Sequence, residues 1–109
     1  MDRALTDAER AVVEWMLGGD FEGVEDYRGQ VAGIRVRGGC RCGCPSVDFV
    51  VPGTGLGSPL PREGWIRGEA VEITLFAKGG RLTGLEQTDY VGSRPTLPDP
   101  ADLVDSPQT

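Results

Sequence analysis

The stretch GEAVEITLFAKGGRLTGLEQTDY, residues 68–90, predicts a β-hairpin and decides the fold class. Its first half alternates apolar and polar residues, the period of two that is typical of a strand with one buried face. The Gly79–Gly80 pair can supply the positive φ angles of a tight hairpin turn. In the returning strand Leu82 and Leu85 have opposite parity, so we expect a bulge at Gly84.

Two further stretches show the same alternation. GIRVRGG, residues 33–39, and SVDFVV, residues 46–51, each place apolar side chains at every second position. Together with the hairpin they predict an antiparallel sheet with one apolar face. That face is expected to carry Ile34, Val36, Phe49, Val51, Val71, Ile73 and Leu75, with Trp15 beneath them.

The N-terminal part of the chain predicts two helices. The sequence TDAE, residues 6–9, matches a capping box, and apolar residues then recur at spacings of three and four over about 7–17. A second, shorter helix is expected within DFEGVEDYRGQV, residues 20–31, where Asp20 can cap the first turn.

These elements favour an α+β fold in which two N-terminal helices pack on a roughly four-stranded antiparallel sheet. We expect one domain over residues 1–92 and a proline-rich, extended C-terminal tail over residues 93–109. Residues 51–64 are rich in glycine and proline and have no period, which predicts a mobile surface loop.

The charge of the chain restricts its partners. A net charge of -6 repels phosphate backbones and anionic lipids and favours basic partners, so we expect no nucleic acid and no membrane. The N-terminus lacks the apolar core of a signal peptide, and no apolar run approaches the roughly 20 residues of a membrane span. A cytoplasmic protein is expected.

The three cysteines, Cys40, Cys42 and Cys44, alternate in a chain without histidine. If the strand that contains Val36 continues unbroken, all three share its inward face and act as small, inert core residues. Buried thiols have raised pKa values, so alkylation of the folded chain is then expected to be slow.

Two other functions stay open for the same residues, because neighbouring glycines and a proline favour a turn that would bring the sulfurs together. Thiolates select zinc or Cu(I), and Asp48 or a second chain would complete the shell of Cys40, Cys42 and Cys44. A reactive or redox thiol whose pKa is lowered by Arg35, Arg37 or Arg41 is the remaining alternative.

Two stretches, CRCGCPSVDF and LFAKGGRLTGLEQTDYVGSRPTLPDPADL, also carry a resemblance. They resemble small bacterial proteins, mainly actinobacterial, with a CxCGCPS segment, a C-terminal GRLxxLE hairpin and a "lPDP" ending. The resemblance covers about the C-terminal two thirds and implies one small domain. It implies no particular activity.

The functional hypothesis that follows is a non-enzymatic module that binds a basic protein partner, in the manner of a small inhibitor or immunity protein. It depends on the acidic charge and on the lack of histidine or a recognisable catalytic constellation. Metal binding by the cysteine cluster is the first alternative and thiol chemistry the second. No catalytic residue and no cofactor is predicted.

Overall fold

The computed structural model describes residues 2–39, 43–53 and 55–106. Within them the chain forms an α+β fold, as predicted, but the predicted sheet of roughly four strands is wrong, because one antiparallel sheet contains eight. The strands are β1 (Arg3–Ala4), β2 (Arg35–Gly39), β3 (Val47–Phe49), β4 (Ser58–Pro59), β5 (Gly64–Ile66), β6 (Val71–Lys78), β7 (Arg81–Asp89) and β8 (Leu103–Val104). The α-helices are α1 (Asp7–Met16) and α2 (Val24–Arg28), and two 3-10 turns span Val31–Gly33 and Pro100–Asp102.

The sheet has the order β1-β2-β3-β7-β6-β5-β8, with β4 and β5 both paired to the same long strand, β6. The four strands that the sequence analysis missed, β1, β4, β5 and β8, have two or three residues each. An alternation cannot be recognised over so few residues, so long-range pairing rather than local pattern defines these strands.

The predicted hairpin is confirmed as β6 and β7. Gly79 and Gly80 have φ angles of 59° and 81°, the left-handed values that a tight turn between two strands requires. The bulge lies one residue before its predicted position: Phe76 pairs with Gly84 and Ala77 with Leu82, which leaves Thr83 as the extra residue.

Helix α1 is also confirmed. The Thr6 hydroxyl accepts from the Glu9 backbone N–H at 3.1 Å, and the Thr6 N–H donates to the Glu9 carboxylate at 2.9 Å, which completes the capping box. The second helix is shorter than predicted. It begins after Gly23, whose φ is 84°, and not at Asp20.

The core lies between α1 and one face of the sheet. Most of the predicted inward residues are buried there, together with Val12, Val13 and Met16 of α1. The correctly predicted members are Val36, Phe49, Val71, Ile73 and Leu75, whereas Ile34 and Val51 are only half-buried. Trp15 is also half-buried, and the guanidinium of Arg62 lies 3.6 Å from the centre of its ring.

Two stretches predicted as irregular contribute to the sheet. Residues 51–64 contain β4 and the first residue of β5, so this segment is not simply a loop. At the C-terminal end, β8 pairs with β5, and Leu103 is 5% exposed and belongs to the core. No helix in the described ranges has the length and apolar character that a bilayer span requires.

Replacing Glu9 with glutamine is expected to lower the free energy of unfolding by about 1–2 kcal/mol at neutral pH. Glu9 is 6% exposed, and Arg3 donates to its two carboxylate oxygens at 2.8 and 2.9 Å. Burial alone would raise the pKa of Glu9, but the bonds from Arg3 and Thr6 outweigh it, so the pKa lies below its usual value.

Because the folded pKa of Glu9 is lowered, its contribution to stability is present above the unfolded pKa of about 4.3 and is lost as the pH falls through the folded pKa. Urea unfolding of the wild type and of Glu9→Gln should therefore differ at neutral pH and converge in acid. An equal difference at both pH values would contradict this assignment.

Candidate functional site

The sheet face opposite the helices carries a cluster of acidic and aromatic side chains. The strand register places them there: Trp65 of β5 pairs with Glu72 of β6, whose neighbours Val71 and Ile73 are buried on the core side. Since side chains alternate between faces along a strand, Glu72 and Trp65 point away from the core. We call this cluster the acidic face and define it as Glu63, Trp65, Glu72, Glu86 and Tyr90.

Two aromatic rings form the centre of the acidic face. The rings of Trp65 and Tyr90 stack with centroids 6.1 Å apart and an interplanar angle of 20°. The Tyr90 hydroxyl donates to Glu72 Oε1 at 2.7 Å, which fixes the orientation of the phenol. Tyr90 is 60% exposed and the adjacent Val91 is 84% exposed. The face thus presents an oriented apolar surface with a polar edge to solvent.

The carboxylates of Glu63, Glu72 and Glu86 lie close enough together to shift the pKa values of neighbouring groups. A hydrogen bond with Glu72 and repulsion from its charge raise the pKa of Glu63. The bond to Glu72 also raises the pKa of Tyr90, and the negative charges of Glu72, Glu63 and Glu86 add to that shift. A cation placed over this face would be attracted by the same charges.

Cys44 lies on the side of β7 that faces away from β6, in the connection between β2 and β3. Cys40 and Cys42, with Arg41 between them, lie outside the described residues. Gly43 has a φ of 90°, so the backbone turns immediately before Cys44, which is half-buried and lies in an irregular segment. The possibility that β2 continues as an unbroken strand through Cys44 is therefore wrong.

The alternation used to predict burial is interrupted earlier, by a bulge in β2. Val36 pairs with Phe49 and Gly38 with Asp48, so Arg37 is an extra residue on its strand. Because Phe49 and Asp48 point to opposite faces, Val36 and Gly38 do so as well. The inward position of Val36 therefore does not imply that the cysteines also point inward. Slow alkylation of the cysteines stays a prediction, but the alternation no longer supports it.

Cys44 lines a groove of about 540 Å³ at the edge of β7. The groove exists because β3 pairs with β7 only at Leu85 and Gly84, so the next residues of β7 pair with β6 on one side and with no described strand on the other. Ser46 partly replaces that strand, because its hydroxyl accepts from the Gln87 backbone N–H at 2.9 Å. The other walls include Asp48, Leu56, Glu86, Thr88 and the segment 92–94.

The predicted metal ligands are only partly described by the structure. Cys44 and the suggested fourth ligand, Asp48, both line the groove. Among the described residues no three cysteine, aspartate or glutamate side chains are grouped as a metal site requires. The zinc or Cu(I) site therefore stays a prediction that depends on Cys40 and Cys42.

Asp89 shapes the far end of the groove. Its carboxylate accepts from the backbone N–H groups of Val91, Gly92 and Arg94 at 3.1, 2.9 and 3.0 Å. The bond from Arg94, followed by that from Val91, lowers the pKa of Asp89, so the carboxylate is charged at neutral pH. This turn holds the segment after β7 against the groove.

Replacing Asp89 with alanine is expected to release that turn, since three backbone donors lose their acceptor. Amide hydrogen exchange of Val91, Gly92 and Arg94 should become faster. The matched control is Asp48→Ala, which removes an exposed carboxylate from the same groove. Unchanged exchange in Asp89→Ala, or equal acceleration by both substitutions, would contradict this role.

Most of these residues were not predicted from the sequence. The outward parity of Glu72 and Glu86 is visible in the hairpin pattern, but nothing local indicates that Trp65 stacks on Tyr90. The turn at Asp89 has a signal, because aspartate with a glycine shortly after it is typical of side-chain-to-backbone turns. The comparisons add no assignment to this description: no family model, no curated protein and no solved structure matches the chain.

Proposed function

We propose that the protein is a non-enzymatic binding module whose acidic face docks on the basic surface of a partner protein. The observation that carries this proposal is the stack of the half-buried Trp65 on the exposed Tyr90, within the field of three carboxylates. Tryptophan and tyrosine are enriched at the centres of protein interfaces, where they bury a large area at a low cost in conformational entropy.

The electrostatics of the face support a cationic partner. Glu63 and Glu72 lie close enough to repel each other, as the raised pKa of Glu63 indicates. A lysine or arginine from a partner would relieve this repulsion and gain attraction from both carboxylates. The net charge of -6 adds long-range steering of basic molecules towards the protein.

The proposal is tested by capture from a lysate of the native host on immobilised protein at low salt. The wild type is compared with a triple variant of the acidic face, Glu63→Gln, Glu72→Gln and Glu86→Gln. Bound proteins are identified and eluted with increasing salt. We expect at least one basic protein on the wild type, and we expect its loss from the triple variant.

A second triple variant serves as a control of equal charge: Glu22→Gln, Glu25→Gln and Asp26→Asn. These three carboxylates are exposed in and next to α2. The partner should remain bound to this control, because docking depends on the acidic face and not on net charge alone. Equal loss from both variants, or equal retention on both, would overturn the proposal.

A further inference from the structure

The ion pairs of the described residues leave the acidic face uncompensated. The arginines in these pairs are Arg3, Arg10, Arg28, Arg35, Arg62 and Arg94. None of their carboxylate partners is Glu63, Glu72 or Glu86. Arg67 follows Trp65 by two residues and is exposed, but it takes no part in these pairs. The three carboxylates are therefore open to a cation from another molecule.

The acidic face is accessible from solvent. Glu63 is two residues before Trp65, so both side chains point to the outer side of the sheet, and Glu63 is exposed. Trp65 stacks on one face of the Tyr90 ring, and since Tyr90 is 60% exposed, the other face is open. The Tyr90 hydroxyl uses Glu72 Oε1 as its acceptor, but an ionised carboxylate keeps further acceptor sites. A ligand over Tyr90 can therefore reach carboxylate oxygens at the edge of the ring.

A guanidinium fits this arrangement better than an ammonium ion. Its planar fork of N–H donors can serve two neighbouring carboxylates, and Glu63 and Glu72 are such a pair, because they lie within hydrogen-bond reach of each other. Its flat faces stack on aromatic rings, whereas an ammonium ion is compact and strongly hydrated. The chain itself contains a contact of this kind, since the Arg62 guanidinium lies 3.6 Å from the centre of the Trp15 ring.

We infer that the partner residue that docks on the acidic face is an arginine, whose guanidinium lies over the open face of Tyr90 and donates to Glu63 and Glu72. This inference rests on the proposed function, and it names the cation that the function requires. A lysine in the same place would keep the attraction to the carboxylates but would lose the stacking contact and the forked donation. The acidic face would therefore select arginine over lysine.

The test is an NMR titration of the isotopically labelled full chain with Nα-acetyl-arginine amide and with Nα-acetyl-lysine amide. Both probes carry one positive charge and are added at constant ionic strength, up to about 100 mM because one small cation binds weakly. We expect saturable shifts of the Trp65 indole and the Tyr90 amide, with the arginine probe binding about threefold or more tighter. Equal affinities, tighter binding of the lysine probe, or no saturable shift at these groups would overturn the inference.

A pair of variants tests the stacking contact. Tyr90→Leu removes the ring and keeps an apolar side chain, so the affinity of the arginine probe should fall to that of the lysine probe. Tyr90→Phe is the matched control, because it keeps the ring and loses only the hydroxyl that donates to Glu72. The preference for arginine should persist in this control. A preference that survives in Tyr90→Leu would contradict the stacked geometry.

A second pair tests the contact with the carboxylates. Glu72→Gln should weaken binding of the arginine probe about two- to fivefold, the range of an exposed ion pair. Glu22→Gln makes the same change of charge at an exposed position beside α2 and should leave binding unchanged. Equal weakening by both substitutions, or none by Glu72→Gln, would contradict the contact with Glu72.

The outcome is distinguishable from that of the proposed function. If a partner is captured through the acidic face but the two probes bind alike, the arginine assignment fails and the proposed function stands. If the arginine probe binds selectively at Tyr90 but capture does not depend on the acidic face, the proposed function fails. Saturable shifts confined to the Ser46 and Gln87 amides would place the cation in the groove at the edge of β7 and would overturn the arginine assignment.

Discussion

Replacing Leu75 with alanine is expected to lower the free energy of unfolding by about 2–5 kcal/mol. Leu75 is 0% exposed, lies in β6 and pairs with Leu85 of β7, so its side chain is surrounded by the core. Removing it loses the transfer free energy of the buried atoms and leaves a cavity that the neighbouring strands can close only partly. Small domains are stable by about 5–15 kcal/mol, so this loss is a large fraction of the total.

Urea unfolding followed by circular dichroism measures this effect. The matched control is Thr74→Ala in the same strand, because Thr74 is half-buried on the opposite face. We expect the control to change stability by less than about 1 kcal/mol. Similar losses for both variants would show that the core does not lie on the side of β6 that the structure assigns to it.

Replacing Trp65 with alanine is expected to weaken binding of the captured basic partner by about 30-fold or more, which corresponds to the 2 kcal/mol typical of an aromatic hot spot. The substitution removes the ring that stacks on Tyr90 and leaves the bond between Tyr90 and Glu72 with less support. The variant therefore offers less apolar contact area, and the Tyr90 side chain is held less firmly in its orientation.

Isothermal titration calorimetry of the purified partner measures the change. Val50→Ser is the control, since Val50 is 42% exposed and does not belong to the acidic face. Circular dichroism must show that both variants are folded. An unchanged affinity for Trp65→Ala, or an equal loss for Val50→Ser, would remove Trp65 from the interface.

The length of an element decides how much of this fold is predictable from sequence. β6 and β7 have eight and nine residues, long enough for the alternation of buried positions to be unmistakable. β4 and β8 have two residues each, and only their pairing with distant strands makes them part of the sheet. The predicted number of strands was therefore too small.

A glycine makes another strand, β5, hard to recognise in the sequence. A glycine within a strand usually weakens it, so Gly64 gives no local signal of a strand. The structure gives the reason for the glycine: a Cβ at Gly64 would lie 2.9 Å from Met16 Sδ and 3.1 Å from Trp15 Cζ3 of α1. The position needs the absence of a side chain because α1 packs directly over it.

The candidate site was predictable only in part, because it also depends on pairing between strands that are distant in the sequence. Outward positions such as Glu72 follow from strand parity, but the approach of Trp65 to Tyr90 depends on the pairing of β5 with β6. The bulge at Arg37, which ends the parity of Val36, also depends on pairing with β3. Parity arguments hold along a strand only until its first bulge.

The indole N–H resonances of the two tryptophans test the proposed function most directly. Trp65 lies on the acidic face, whereas Trp15 packs against the core beneath Arg62 on the helical side. In a titration of the labelled protein with its captured basic partner, the Trp65 resonance should shift or broaden and the Trp15 resonance should stay unchanged. A shift of Trp15 with Trp65 unaffected would place the interface on the helical side and would contradict docking through the acidic face.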